Sequence, residues 1–95
     1  MNPRKYYAFK SRKKIEKYRL KRRLIDELGG KCIDCGYNAH LAALDFDHID
    51  PTTKSYGIAT KLYVLDYLEL REETKKCVIR CANCHRIKTS PQATD

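Results

Sequence analysis

The chain has 95 residues, a formal net charge of +8 and five cysteines. A sequence this short forms one small domain with a modest core, the size class in which a structural metal or disulfides often supplement burial. No apolar run approaches the roughly 20 residues of a membrane span, and the basic N-terminus lacks the apolar stretch of a secretory signal; a soluble, cytoplasmic protein is expected.

The charge is unevenly placed. Residues 1–30 hold eleven Lys and Arg against three Asp and Glu, whereas residues 31–95 hold nine of each. The excess therefore sits in a basic helical arm, residues 1–30, ahead of a neutral domain over residues 31–90 and a short tail, 91–95. Such a block is the footprint of a polyanionic partner, nucleic acid first, although a solvated basic helix or an anionic-membrane contact has the same composition. The candidate phosphate contacts in the arm are Arg12, Lys13, Lys14, Arg19, Arg22 and Arg23.

Tyr6, Tyr7 and Phe9 are interleaved with the first basic residues without a clean stripe. They have the chemistry to stack on bases, but packing against the domain is the commoner fate of such residues. Residues 15–28 are more regular. Ile15, Tyr18, Leu24, Ile25 and Leu28 fall broadly on one helical side, with Lys21 and Arg22 intruding, and Gly29-Gly30 supplies a left-handed C-terminal cap.

Next comes Cys32-Ile-Asp-Cys35, followed by Gly36 where the backbone must reverse; Cys81-Ala-Asn-Cys84 repeats the spacing. Paired CxxC motifs without a secretory signal point to metal ligation over disulfides. Two intervening residues let both thiolates of a pair reach one ion, and four thiolates make a closed tetrahedral zinc site. The forty-five residues between the pairs exceed the roughly 15–20 of a short zinc ribbon, so the insertion carries structure of its own. Cys77 is expected to pack as a small hydrophobe.

Within the insertion, Leu44-Asp-Phe-Asp-His48 alternates as a strand with Leu44 and Phe46 toward the core, ended by the turn at Asp50-Pro51. Alternation puts Asp47 and His48 on opposite faces unless the strand is ending or bulged there. Leu62, Leu65, Leu68 and Leu70 approach helical spacing, so one or two helical turns are expected over 60–75. Val78 and Ile79 suggest a second short strand, and the run from Cys81 reads as a helix ending before Pro91. Asp47, His48 and His85 together have the donor types of a second metal site with open positions.

Taken in order, Cys-x-x-Cys-Gly, Leu-Asp-Phe-Asp-His-Ile-Asp-Pro and Lys-Cys-Val-Ile-Arg-Cys-Ala-Asn-Cys-His-Arg resemble the HNH endonucleases, in the small zinc-bearing variety common in bacteriophages and bacteria. The resemblance covers about residues 31–89. It implies a small α+β fold, a ββα-metal core of two antiparallel strands and a helix around a catalytic divalent cation, stapled by a four-cysteine zinc.

It further implies that His48 is the general base, that Asp47 and His85 hold the catalytic ion, and that Asn83 positions the site. Many relatives of this kind carry an Asn-Leu pair before the second CxxC, where this chain reads Lys75-Lys76-Cys77.

The implied chemistry is hydrolysis of DNA, with RNA as a further possible substrate, to 5′-phosphate and 3′-hydroxyl ends. An imidazole is a suitable base near neutral pH, Mg²⁺ or another hard divalent ion stabilises the oxyanions, and Arg86 and Lys88 are placed to clamp neighbouring phosphates. A monomer is the simpler expectation, with pairing on DNA as the alternative. The competing function is a zinc-stapled DNA-binding module without activity, which has no need of Asp47, His48 and His85 together.

Overall fold

The computed structural model describes residues 12–91. In chain order they form helix α1 (Lys14–Glu27), strand β1 (Leu44–His48), a single turn of helix α2 (Ile58–Lys61), helix α3 (Tyr67–Thr74), strand β2 (Cys77–Cys81) and helix α4 (Ala82–Thr89). Short 3₁₀ turns occupy Leu41–Ala43 and Pro51–Thr53. The result is a small α+β fold with four helices and one two-stranded antiparallel sheet among the described residues. Tyr6, Tyr7 and Phe9 lie outside them, as does most of the tail.

Helix α1 starts where the Glu16 carboxylate accepts the Lys13 backbone N–H at 2.8 Å. It ends where Gly30 donates to the Ile25 carbonyl, with Gly29 and Gly30 at φ 106° and 76°, a conformation that glycine adopts without a Cβ clash. Its second half is core. Leu24 packs with Ile58, Leu62, Leu70 and Cys77, while the adjacent Ile25 packs with Cys32, Leu44, Ile79 and Cys81. One helical turn thus joins the two apolar clusters. Ile15, expected on the same stripe, is 57% exposed; the stripe is buried only toward its C-terminal end.

Strands β1 and β2 pair continuously, from Leu44 opposite Cys81 to His48 opposite Cys77. Leu44, Cys77, Ile79 and Cys81 are buried in the two clusters, and Phe46 is half-buried against both. The expected helical stretch over 60–75 is split. Helix α2 stops at Lys61, and Asp66 starts α3 by accepting the Glu69 N–H at 2.9 Å. The break resets the helical phase, which is why Leu62 and Leu70 are buried but Leu68 is exposed.

Helix α4 follows β2 without a connecting loop. The Cys81 thiol accepts from the Cys84 backbone N–H at the helix start, and Ser90, extended before Pro91, ends it. No helix among the described residues is long and apolar enough to cross a membrane.

Because Leu24 is completely buried and Ile15 is not, Leu24→Ala is expected to cost about 2–5 kcal/mol. Ile15→Ala should stay within about 0.5 kcal/mol. Urea unfolding followed by circular dichroism compares them, and equal losses would show that α1 is buried along its whole length.

Candidate functional site

Three segments bring the four cysteines together. Gly36, at φ 79°, turns the first CxxC loop back, and the Ile33 N–H donates to the Ile79 carbonyl at 2.7 Å, docking that loop on β2. Cys81 closes β2 and Cys84 sits one turn into α4. The sulfurs of Cys32, Cys35, Cys81 and Cys84 all lie within 4.8 Å of one another, with Cys35 and Cys81 3.7 Å apart. A tetrahedral zinc with Zn–S distances of about 2.3 Å holds its thiolates roughly 3.8 Å apart, so the cluster fits that ion.

Hydrogen bonding with the neighbouring sulfurs of Cys81 and Cys35 pushes the Cys84 thiol up; a divalent ion at the cluster would favour the thiolate form instead. Against the cost of burial, backbone donors at Cys81, Cys35 and Asp34 bring Cys32 down to about 6. Cys77 stays outside the cluster, buried in the core, where desolvation pushes its thiol up to about 12.

The second constellation is split by the strand. The pairing carries no bulge, so alternation holds to its last residue and Asp47 and His48 project to opposite sides. On one side, Asp47 Oδ2 accepts from Arg80 Nη1 at 2.6 Å and Lys88 Nζ at 2.9 Å. Burial would raise the Asp47 carboxyl, but the Lys88 and Arg80 hydrogen bonds hold it below the usual carboxylate range. Its other oxygen, Oδ1, lies 3.6 Å from His85 Nε2. Behind His85, Nδ1 is 3.0 Å from Asp45 Oδ2, the carboxylate–histidine arrangement that fixes the tautomer of a metal-binding imidazole.

Two donors each about 2.1 Å from one divalent ion lie roughly 3 to 4.2 Å apart, so Asp47 Oδ1 and His85 Nε2 fit a shared ion. Among the described residues the four thiols are the one close cluster of three or more metal donors. The Asp47–His85 pair supplies two such donors.

On the other side of β1, His48 Nε2 meets Glu73 Oε2 at 2.8 Å. Glu73 also receives the Ser55 backbone N–H and the Lys76 ammonium. Burial opposes its ionisation, yet the Lys76, Ser55 and His48 hydrogen bonds bring Glu73 down to about 2. It is therefore an acceptor at neutral pH, placed to take an N–H from His48 Nε2. Nδ1 has no partner among the described residues, and no buried side-chain nitrogen or oxygen is left unpaired; Nδ1 therefore reaches solvent.

The remaining expected site residues divide. Asn83 is exposed in the first turn of α4, without a hydrogen bond to the acidic and histidine groups. Arg86 is exposed and lines a shallow groove with Asp45 and His85, whereas Lys88 is directed to Asp47. In the arm, Arg12 Nη1 donates to the Leu62 and Leu65 carbonyls at 2.6 Å each, Arg22 pairs with Asp26, and Arg23 pairs with Glu27 and stacks 3.6 Å over Tyr67. Lys13, Lys14 and Arg19 are exposed. Asp45 and Glu73 are additions. Asp45 was findable, since it lies two residues before Asp47 on an alternating strand; Glu73, twenty-five residues from His48, had no local signal.

No protein-family model, no curated protein and no solved structure matches the chain. The functional reading therefore rests on its residues and their geometry.

Two outcomes follow from the site. The purified protein should carry one zinc per chain by elemental analysis, and stripping it with a chelator should lower the melting temperature sharply; a metal-free chain of unchanged stability would dismiss the staple. Glu73 titrates near 2 when folded and at about 4.3 when unfolded. Its contribution is thus complete above the unfolded value and lost as pH falls toward 2. Unfolding free energy should decline over that window, and Glu73→Gln should flatten the decline.

Proposed function

We propose that this chain is a divalent-metal-dependent endonuclease of the HNH kind, hydrolysing DNA phosphodiesters to 5′-phosphate and 3′-hydroxyl ends. The observation that carries the reading is the Asp47–His85 pair, 3.6 Å apart with Asp45 behind the imidazole; Asp47 comes from β1 and His85 from the helix whose first turn holds Cys84 of the four-thiol cluster. The ordered likeness of residues 31–89 to the HNH pattern is its second support.

Each residue then has a role. His48 Nδ1 accepts the proton of a water whose oxygen attacks phosphorus, while Glu73 holds the other ring nitrogen protonated. The P–O3′ bond breaks, and the departing oxygen takes a proton from solvent. Arg80 and Lys88 keep Asp47 ionised; Asp45 holds His85 with Nε2 as its donor atom. A bound Mg²⁺ or similar ion would neutralise charge on the phosphoryl and leaving oxygens. Nucleophile and leaving group lie on opposite sides of phosphorus in an in-line displacement, so a base and an ion site on opposite sides of one strand end suit the reaction.

A second reading, a zinc-stapled binding module without activity, has one observation in its favour. Asp47 already has two cationic partners, an arrangement that is stable as an ion-pair network alone.

Plasmid nicking with Mg²⁺ separates the two. His48→Ala and His48→Gln should both lose cleavage by at least about 100-fold. His48→Gln, which retains a hydrogen bond to Glu73, should keep DNA binding and melting temperature, whereas His48→Ala should melt lower because it removes a partner of the buried Glu73 carboxylate. Equal cleavage by the folded variants would sink the catalytic assignment, and an inactive wild type would favour the module.

A further inference from the structure

A groove of about 220 Å³ opens beside β1 between α1 and α2, lined by Lys21, Lys54, Asp45 and His85 over an apolar floor that includes Ile58 and Leu62. It lies next to the Asp47–His85 pair but uses neither His48 nor any β2 residue. Lys21 is the unexpected member. It is half-buried on the core side of α1, where helical periodicity asks for an apolar residue, and it has no hydrogen bond or ion pair among the described residues.

Burial holds its ammonium below the ordinary lysine range, with Asp45 offsetting the effect in part. Asp45 itself is bonded to His85. Lys54, on the loop after β1, is exposed and likewise unpaired.

A half-buried ammonium without a partner works against folding. Two other half-buried cations on or beside the same helix do have partners: Arg12 donates to the Leu62 and Leu65 carbonyls, and Lys17 donates to the Tyr63 hydroxyl. Two ammonium groups without hydrogen-bond partners lining one small cavity, with His85 at its wall, match a compact anion. The cavity is below the roughly 300–1,000 Å³ of small-molecule sites, so it has room for a phosphate group but not for a nucleoside.

We propose that this groove binds one backbone phosphate of the nucleic acid beside the scissile position, with Lys21 and Lys54 contacting its non-bridging oxygens. The choice of a polynucleotide as the source of that phosphate rests on the nuclease reading above.

The test uses the zinc-loaded full chain and a fluorescent DNA duplex, with Mg²⁺ omitted to prevent turnover and binding measured over a range of salt. Lys21→Met and Lys54→Met should each reduce the slope of log K against log salt by about one, the loss of one phosphate contact. Lys21→Met should also melt at or above the wild-type temperature, because it keeps the alkyl stem and removes an unpaired half-buried charge. An unchanged slope, or a melting temperature that drops, would overturn the proposal and make Lys21 a structural residue.

Inorganic phosphate separates the two sources of the anion. If it saturates the Lys21 and Lys54 side-chain NMR signals while both variants keep the wild-type salt slope on DNA, the groove takes the free ion and the backbone assignment falls. A wild type that never cleaves, with both variants showing these slope losses, would remove the nuclease reading and leave the groove. One that cleaves with unaltered slopes would do the reverse, and absence of DNA binding would overturn both.

Discussion

Four sulfurs within 4.8 Å of one another are the constraint on which the remaining geometry depends. They bring together the loop after α1, the end of β2 and the start of α4, three segments that the eight other buried apolar residues among those described would otherwise have to align alone. Cys81 belongs to all of this at once: it ends the strand, caps the helix and faces the other thiols. Since His85 follows Cys84 directly, fixing the thiols also fixes the imidazole relative to Asp45 and Asp47 on the neighbouring strand. A metal held by these four thiols would thereby set the position of side chains it does not touch.

The sheet has a second task. With only two strands and no bulge, it presents an Asp45, Asp47, Arg80 side to α4 and a Phe46, His48, Cys77 side to the core and α3. Acidic and basic groups on the first side neutralise one another in a chain running from Asp34 through Arg80 to Asp47 and Lys88. On the second side one buried carboxylate, Glu73, ties His48 to the Ser55 loop and to Lys76. Both networks hold a histidine by one nitrogen and leave the other available, so the same device is used twice on opposite sides of a strand.

The described part of the basic segment, residues 12–30, is heterogeneous. The charge excess of the segment reads from the sequence as one polyanion-binding arm, and within the described part the cations have different surroundings. Arg12 closes the turn after α2 and Arg23 lies over Tyr67, while Lys13, Lys14 and Arg19 remain solvent-facing. Lys21, which interrupts the apolar stripe, is the one turned toward the groove beside His85. Counting charges cannot separate these, because a 3.6-residue repeat puts neighbouring cations on different faces.

The local features were legible without coordinates. The two CxxC pairs, the alternating strand at Leu44–His48, the glycine stop at Gly29-Gly30 and the helix ended before Pro91 each follow from spacing or backbone preference within a few residues. Contacts across long sequence separations were not. Glu73 reaches His48 across twenty-five residues and Lys88 reaches Asp47 across forty-one, and no short-range pattern records such pairs. The phase break between α2 and α3, which exposes Leu68, also comes from how the insertion packs. Residue spacing determined which groups can bind metal. Packing of α3 and α4 on the two sides of β1 decided which of them meet, because a side chain's partner depends on where the other end of the fold returns.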